Sequence, residues 1–384
     1  MKNPKCLILI LFIVCIIILF CMCIVQVSGN TTFKAAWVQN VYAAYKRRAA
    51  RFAVPRNKIT TQTIDLVIIW YCPPPILLPI RNTDDYDELK FLLRSVTAFA
   101  PWIYRVHIVV TTDVKNKDLP SWLNLQHPHL NVVNVNKIMP NLNFKSVSPT
   151  QPIFNMHAIE ACLHRIPLLS EHYVYAHKGM LFGNVTRVSD FFNEDGTIAL
   201  FVSPVLKRPV TVQDTVGSTY RQAWLHTYTA LESVYNSCKL PVYLPCPQIT
   251  MMSVTLGQHA ESTFSVALGC ESDAEDTVAR PVSLLTPQHA KSADLCANLH
   301  TIGLQLYGGL CVGRVAVASR VPTMQYMDWS SEIDSVNKRR LKLIVKTRPQ
   351  LLCVNNINGS PTNVASWSKF AETYYPVASR FELL

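Results

Sequence analysis

The stretch PIFNMHAIEACLHRIPLLSEHYVYAHKGMLFG, residues 152–183, has the pattern of a helix followed by a buried strand. Apolar residues recur at helical spacing from 154 to 166, where Asn155 is placed to cap the helix and Pro167 to end it. Residues 172–176 are mostly apolar and aromatic, as is typical of a short buried strand. The stretch therefore predicts a helix–strand unit of an α/β sheet.

A polar turn, His177-Lys178-Gly179, follows the predicted strand. In open α/β sheets, ligands and catalytic groups collect at the carboxyl ends of parallel strands. We therefore expect this turn to lie at a functional site.

The segments around this stretch extend the pattern. Residues 63–70 form a β-branched apolar run of buried-strand type, and residues 104–112 and 130–135 are two further candidate strands. Residues 84–99 carry acids in the first turn and an apolar face, and residues 214–236 again show helical patterning. Strands alternating with helices predict an α/β fold with a Rossmann-like, mostly parallel sheet flanked by helices.

The N-terminal run Cys6–Val27 contains no charged residue over 22 positions. Roughly 20 apolar residues span a bilayer, whereas the apolar core of a signal peptide is about 7–15 residues long. Lys2 and Lys5 precede the run and favour a cytoplasmic N-terminus. We therefore predict a single-pass type II membrane protein with an N-terminal transmembrane helix. A signal peptide cleaved near Ser28 is the alternative.

This topology predicts that the rest of the chain lies in the lumen of the Golgi or of another secretory compartment. Asn-x-Ser/Thr triplets at Asn30, Asn184 and Asn358 are then candidate glycosylation sites of a glycoprotein. Eight of the 12 cysteines lie outside the anchor, and an oxidising compartment allows them to form disulfides. The group from Cys238 to Cys311 is favoured, although spacing alone does not give the pairing.

The chain is basic, with 36 Lys and Arg against 25 Asp and Glu and a net charge of +11. In a lumenal protein this charge favours anionic glycans, phosphates or lipid headgroups as partners rather than nucleic acid. Basic clusters lie at residues 46–58 and 338–348, and a solvated helix face is the alternative interpretation of each.

The sequence excludes some common enzyme classes. It contains only 12 glycines, and neither G-x-G-x-x-G, a P-loop nor a G-x-S-x-G elbow occurs. A nucleotide would therefore have to be held by a metal and basic side chains rather than by a glycine-rich loop.

Composition and patterning together predict the organisation of the chain. The predicted parts are a cytoplasmic tail (1–5), a transmembrane anchor (6–28), a basic stem (29–60), an α/β core (61–240), an irregular subdomain (241–345) and a C-terminal segment (346–384).

Several segments contain uncommon sequence motifs that also occur in one protein family. They are IDLVIIWYCPPP (64–75), the stretch 87–183, LLCVNN (351–356) and YYPVASRFE (374–382). These segments resemble the first, second and fourth conserved regions of the Stealth family. That family includes the N-acetylglucosamine-1-phosphotransferase catalytic subunit and capsular polysaccharide phosphotransferases. Its third region is matched weakly, by LPCPQ (244–248) and Arg280.

The resemblance implies a glycosylphosphotransferase. Such a transferase moves a sugar 1-phosphate from a UDP-sugar, for example UDP-N-acetylglucosamine, to a hydroxyl of an acceptor glycan or glycoprotein and releases UMP. Mg²⁺ or Mn²⁺ would neutralise the diphosphate, and a base would take the proton of the acceptor. The candidate catalytic residues are His157, which keeps the family's residue, and His177, Lys178 and Asn356, which stand where the chain departs from the family. The substrate-binding residues expected are Arg94, Asn155, Glu160, His164, Arg165 and Arg280.

The chain departs from the family where the family has its usual aspartates. Those places hold Cys72, Lys178, Gly179 and Asn356, which are degenerate metal positions, so we predict no metal there. In one hypothesis the chain is an active transferase that neutralises the diphosphate with Lys178 and uses His157 or His177 as the base. In the other it is a catalytically degraded member that binds a glycan, a nucleotide or a partner protein, such as another member of the family.

Structural roles are the alternative for several of these residues. Arg94 would pair with an acid such as Asp87 or Glu88, and His157 and Glu160 would hold their helix to the strand. A purely structural surface protein is a third interpretation.

Overall fold

The computed structural model describes residues 63–70, 87–110, 119–138, 156–177, 179–211, 213–216, 218–235, 237–246, 249–263, 299–328, 334–355 and 361–383. The predicted anchor and basic stem lie outside these ranges. Among the helices within them, none has the length and apolar composition needed to cross a bilayer.

The described residues form twelve strands and seven α-helices. The strands are β1 (Ile64–Trp70), β2 (Ile103–Val110), β3 (Leu130–Asn134), β4 (His172–His177), β5 (Met180–Phe182), β6 (Ile198–Leu200), β7 (Val202–Lys207), β8 (Tyr243–Pro245), β9 (Thr250–Ser253), β10 (Val315–Val317), β11 (Met324–Asp328) and β12 (Leu351–Asn355). The α-helices are α1 (Glu88–Phe99), α2 (Met156–Ala161), α3 (Thr219–Val234), α4 (Val254–Thr263), α5 (Thr301–Cys311), α6 (Asp334–Thr347) and α7 (Pro361–Tyr374).

The main sheet has five strands in the order β3-β2-β1-β4-β9. The first four are parallel, and β9 joins β4 in the antiparallel direction. The chain builds β1, β2 and β3 toward one side and then returns to β4 on the other side of β1. The strand order therefore reverses between β1 and β4, where Ile69 pairs with His177. In open α/β sheets, ligands bind beyond the carboxyl ends of the strands at such a reversal. The predicted mixed α/β fold with a parallel sheet is confirmed.

Both faces of this sheet are covered. Every residue of β1 is buried, as expected for a parallel strand with packing on either side. The central helix α5 is buried along its whole length and packs against α2, α3 and α4. Its glycines permit this, since a Cβ on Gly303 would overlap the ring of Trp224.

Smaller sheets adjoin the main one. β11 and β12 are parallel and β5 pairs with β12 in the antiparallel direction, while β6 pairs with β10 and β7 with β8. Because β5 follows β4 directly, its pairing with β12 places the end of β12 beside the turn at Gly179.

One sequence-based boundary differs from the structure. The predicted helix ends earlier: α2 stops at Ala161, a 3₁₀ turn covers Leu163–Arg165, and Ile166 is extended. Pro167 disfavours helical backbone at the preceding residue, which accounts for the extended conformation of Ile166. The domain boundaries stay a prediction, although β9, from the segment predicted to be irregular, forms an edge strand of the main sheet.

Candidate functional site

Three elements meet at the carboxyl end of β4. Helix α2 contributes His157 and Glu160, β4 ends in His177, and the start of α5 contributes His300 and Thr301. The carboxylate of Glu160 lies at the centre of this histidine cluster.

Glu160 is buried and fully engaged by its neighbours. Its Oε2 accepts from His157 Nδ1 at 2.8 Å and from Thr301 Oγ1 at 3.1 Å. Its Oε1 accepts from the hydroxyl of Tyr175 at 2.9 Å and lies 3.6 Å from His177 Nε2. Burial alone would raise the pKa of Glu160, but His157, together with the other histidines, outweighs burial and lowers that pKa to about 2. The group is therefore a carboxylate at any physiological pH.

The pKa values of the two partly exposed histidines, His157 and His177, are shifted in opposite directions. Burial works to lower the pKa of His157, but the charge and hydrogen bond of Glu160 prevail and raise it above 6.5. Burial lowers the pKa of His177 below 6.5, and the more distant Glu160 does not compensate. The side chains are 28% and 36% exposed, so both can meet a ligand.

His300 joins the cluster from the amino end of α5. Its Nδ1 accepts from the backbone of Gly303 and so caps the helix, and its ring lies 4.9 Å from that of His157. The His300 ring also stacks on the ring of Trp224, with 4.1 Å between the ring centroids. Burial lowers the pKa of His300 to about 3, so this ring is neutral. Sequence reasoning missed His300 and Thr301, although a threonine ahead of an apolar helical run is a recognisable helix start.

The turn after β4 is shaped by Gly179. Its φ is +85°, a conformation that favours glycine, and a Cβ there would lie 2.5 Å from the carbonyl oxygen of Val354. The residue is one of the predicted degenerate metal positions, and the backbone leaves no room there for a side chain.

Arg94 is held inside the protein. Its guanidinium makes two hydrogen bonds to Glu382, at 2.8 and 2.7 Å, and a third to the carbonyl of Tyr375 at 3.3 Å. The sequence suggested a nearby acid, Asp87 or Glu88, as the structural partner of Arg94. The acid that binds it is instead distant in sequence. Substrate binding by Arg94 stays a prediction, with this guanidinium only 14% exposed.

His164 and Arg165 share one partner. His164 Nε2 lies 2.8 Å from Glu261 Oε2, and Arg165 Nη2 binds the other oxygen of the same carboxylate. Glu261 therefore ties the turn after α2 to α4. Among the described residues, the hydrogen bonds of His164 and Arg165 go to Glu261 and Ile138 and not to the histidine cluster.

Other predicted positions lie outside the described residues. They are Cys72, Asn155, Lys178, Arg280 and Asn356, together with the glycosylation candidates Asn30 and Asn358. Asn184 is described, and its Nδ2 donates to the carbonyl of Arg348 at 3.2 Å.

The described residues do not form a site suited to a divalent cation. No group of three or more His, Cys, Asp or Glu side chains within them converges as metal ligands. Gly179 offers no side chain, and both oxygens of Glu160 are already occupied. A role for Mg²⁺ or Mn²⁺ stays a prediction.

A second buried polar group lies toward the amino ends of the strands. His107 Nε2 donates to Asp65 at 3.0 Å, and Asn131 donates to His107 Nδ1 at 3.0 Å. Asp65 also accepts from the backbone of Arg105 and Ser170. With all these partners satisfied and both side chains fully buried, the group stabilises the sheet rather than forming a site.

Comparison with known proteins adds a second line of information. Residues 82–200 match the family model described as Stealth protein CR2, conserved region 2. An exopolysaccharide phosphotransferase of Streptomyces coelicolor is 37% identical over 120 residues, which cover 31% of this chain and 18% of that protein. The N-acetylglucosamine-1-phosphotransferase subunits alpha/beta of Mus musculus are 34% identical over 110 residues, covering 29% of this chain and 8% of that protein. The chain thus matches less than a fifth of the length of either relative.

Solved structures resemble the chain only distantly. The apo structure of the bifunctional glycosyltransferase WbbM aligns with 83% of this chain and 52% of that chain, at a TM-score of 0.39 and 14% identity.

Proposed function

Because the chain carries the second conserved region of the Stealth family, we propose that it transfers a sugar 1-phosphate from a UDP-sugar to a hydroxyl of an acceptor glycan. UDP-N-acetylglucosamine is the proposed donor, and UMP is the product released. We place this reaction in the lumen of a secretory compartment, with the chain anchored as a type II membrane protein.

The chemistry needs few groups. The acceptor oxygen attacks the phosphorus next to the sugar, so its proton must be removed and the charge of the diphosphate must be balanced. Phosphoryl transfer of this kind depends mainly on positioning and electrostatics. A base and a cation at the carboxyl edge of the sheet are therefore what the site must supply.

His177 is suited to be the base. Its lowered pKa leaves the imidazole neutral near pH 7, with one ring nitrogen able to accept a proton. It ends β4 where the strand order reverses between β1 and β4, the place in such sheets where substrates bind.

His157 is suited to supply positive charge. Its raised pKa favours the imidazolium form, which Glu160 holds by a hydrogen bond. The protonated ring would attract the phosphate oxygens, and Lys178 would add a second charge. When neighbouring groups have different environments, their pKa values differ, and one site can then hold both a base and a cation at the same pH. These opposite shifts, on two histidines that share Glu160, are the observation that carries the proposal.

Glu160 acts as a positioning residue. It is buried and has no oxygen left for substrate, and it orients His157 while Tyr175 fixes the carboxylate from the side of the strand.

A second candidate function is binding without turnover. The crowded backbone at Gly179 supports it, because a carboxylate cannot simply be placed there to hold a metal. In that case the same histidines would bind the diphosphate or a glycan.

UMP release from UDP-N-acetylglucosamine by the purified full chain tests the proposal, with a glycan acceptor and with and without Mg²⁺ or Mn²⁺. We expect turnover that falls at least tenfold in His177→Ala and His157→Ala. His127→Ala is the matched control, a half-buried histidine outside the cluster whose pKa burial also lowers. Donor binding without UMP release would reject transfer and favour the second candidate.

A further inference from the structure

Helix α6 presents a basic face to solvent. Asn337, Leu341 and Ile344 are buried, and the side chains of Arg339, Lys342 and Lys346 are exposed. At about 100° per residue, these three point within roughly 60° of one another on the side away from the protein.

This concentration of charge is unfavourable for the helix by itself. Residues 335–348 include six Lys or Arg and no acid. Lys338, Lys342 and Lys346 follow one another at the four-residue spacing at which like charges on a helix repel. Within the described chain, Lys342 and Lys346 form no ion pair. Their charge is therefore available to an external anion.

The arrangement fits a linear polyanion better than a membrane. Arg339 and Lys346 are separated by about 10 Å along the helix axis, so the cations form a row. Exposed apolar residues are present, Leu343 at 44% and Val345 at 52%. They point roughly 160° apart, and so do not form the continuous apolar face with which helices enter a lipid surface.

The row of cations on α6 also begins near the edge of the fold at which the histidine cluster lies. Helix α6 connects the parallel strands β11 and β12, so its amino end lies at their carboxyl edge. At that edge the amide of Val354 donates to the carbonyl of Gly179 at 2.8 Å, two residues after His177. A chain bound along α6 can thus lead toward the histidine cluster.

We propose that the outward face of α6, formed by Arg339, Lys342 and Lys346, binds an anionic glycan chain and guides it to the histidine cluster. The binding itself is independent of catalysis. Only the assignment of this glycan as acceptor or product rests on the proposed function, in which transfer of a sugar phosphate makes the acceptor anionic.

Binding of fluorescein-labelled heparin to the full chain tests the surface, by anisotropy at increasing NaCl. The test variant is R339Q/K342Q/K346Q, and the charge-matched control is K207Q/R320Q/K369Q, which removes three exposed cations from other elements. We expect the test variant to lose at least tenfold in affinity at low salt and to show a shallower salt dependence, since fewer ions are displaced on binding. The control should change less than twofold.

Equal losses in both variants would overturn the proposal, because the effect would then be one of net charge alone. Binding to phosphatidylserine vesicles but not to heparin would overturn it in favour of a membrane. Thermal melts followed by circular dichroism verify that the variants fold. If the triple variant does not fold, the milder K342Q/K346Q variant replaces it, and its affinity for heparin should fall at least threefold. UMP release is measured separately, so a chain without transferase activity that still binds heparin through α6 would refute the proposed function and leave this inference standing.

Discussion

Arg94 and Glu382 form a two-hydrogen-bond ion pair that joins the first helix, α1, to the C-terminal segment across 288 residues of sequence. Glu382 also accepts from the backbone of Ser379, and the neighbouring Phe381 and Tyr375 are buried. Two charges held in this geometry away from water fix the C-terminal segment against the sheet layer.

We expect Arg94→Ala to lower the free energy of unfolding by about 3 kcal/mol, because it leaves the mostly buried Glu382 without its partner. Urea denaturation measures the loss. Glu232→Ala is the control: it removes the 56% exposed partner of Arg208 and should cost less than about 1 kcal/mol. Similar losses in both variants would show that the C-terminal pair contributes no more than a surface one.

The second prediction concerns the pKa of His157. Glu160 raises that pKa, so Glu160→Gln, which keeps the shape and removes the charge, should lower it below its value in the wild-type chain. Histidine signals followed by NMR titration measure the change, with His127, which has no contact with Glu160, as the internal reference. An unchanged His157 signal would contradict the assigned role of Glu160. If the proposed function holds, UMP release falls at least tenfold in the same variant.

Acid stability provides a third prediction. The pKa of Glu160 is lowered from 4.5 to about 2, so its ionised form stabilises the folded chain above pH 4.5. That stabilisation, about 3 kcal/mol, should disappear as the pH falls from 4.5 toward 2. Unfolding of wild type and of Glu160→Gln at pH 7, 4 and 3 checks the sign. Their difference in stability should shrink with acid, and a constant difference would refute the shift.

Restoring an aspartate at Gly179 should not succeed. Gly179→Asp forces a side chain into a left-handed backbone position and brings its Cβ within 2.5 Å of the carbonyl oxygen of Val354. We expect a loss of at least about 2 kcal/mol, from backbone strain together with overpacking. Thermal melting measures it. Normal stability with newly metal-dependent turnover would show that the turn adapts and that the chain differs from an active metal enzyme by few residues.

The disulfide between Cys238 and Cys311 predicts sensitivity to reduction. It joins the loop after α3 to the end of the buried helix α5 and closes a loop of 73 residues. By the loop-entropy relation, C238S/C311S should destabilise the chain by about 4 kcal/mol. Dithiothreitol should lower the melting temperature of wild type and have little effect on the double variant. Equal effects on both would place the reducible bond elsewhere.

Much of the fold followed from local pattern. The four parallel strands and α1 were predicted to within a few residues, because buried strands and amphipathic helices repeat at fixed spacing. The sequence also predicted that His177 lies at the end of a strand, and therefore at a ligand-binding edge. It did not predict that α2 ends at Ala161 and is followed by a 3₁₀ turn, because the apolar spacing of a helix continues to Ile166.

Only part of the candidate site could be predicted from the sequence pattern. His157, Glu160 and His177 lie close together in sequence and were named as candidates. His300 lies 140 residues after Glu160 and enters the cluster only because α5 packs against α2. The partners of Arg94 and His164, Glu382 and Glu261, were hidden for the same reason.

By itself, the sequence determined the parallel α/β sheet, the family resemblance and the edge at which chemistry would occur, since each of these is written in residues that are neighbours along the chain. Only the tertiary structure decided which remote groups face each other: it brought Thr301 to Glu160, occupied Arg94 with Glu382 and filled the space beside Gly179 with the backbone of Val354. Electrostatic partners depend on distance in space, and packing between remote segments sets that distance.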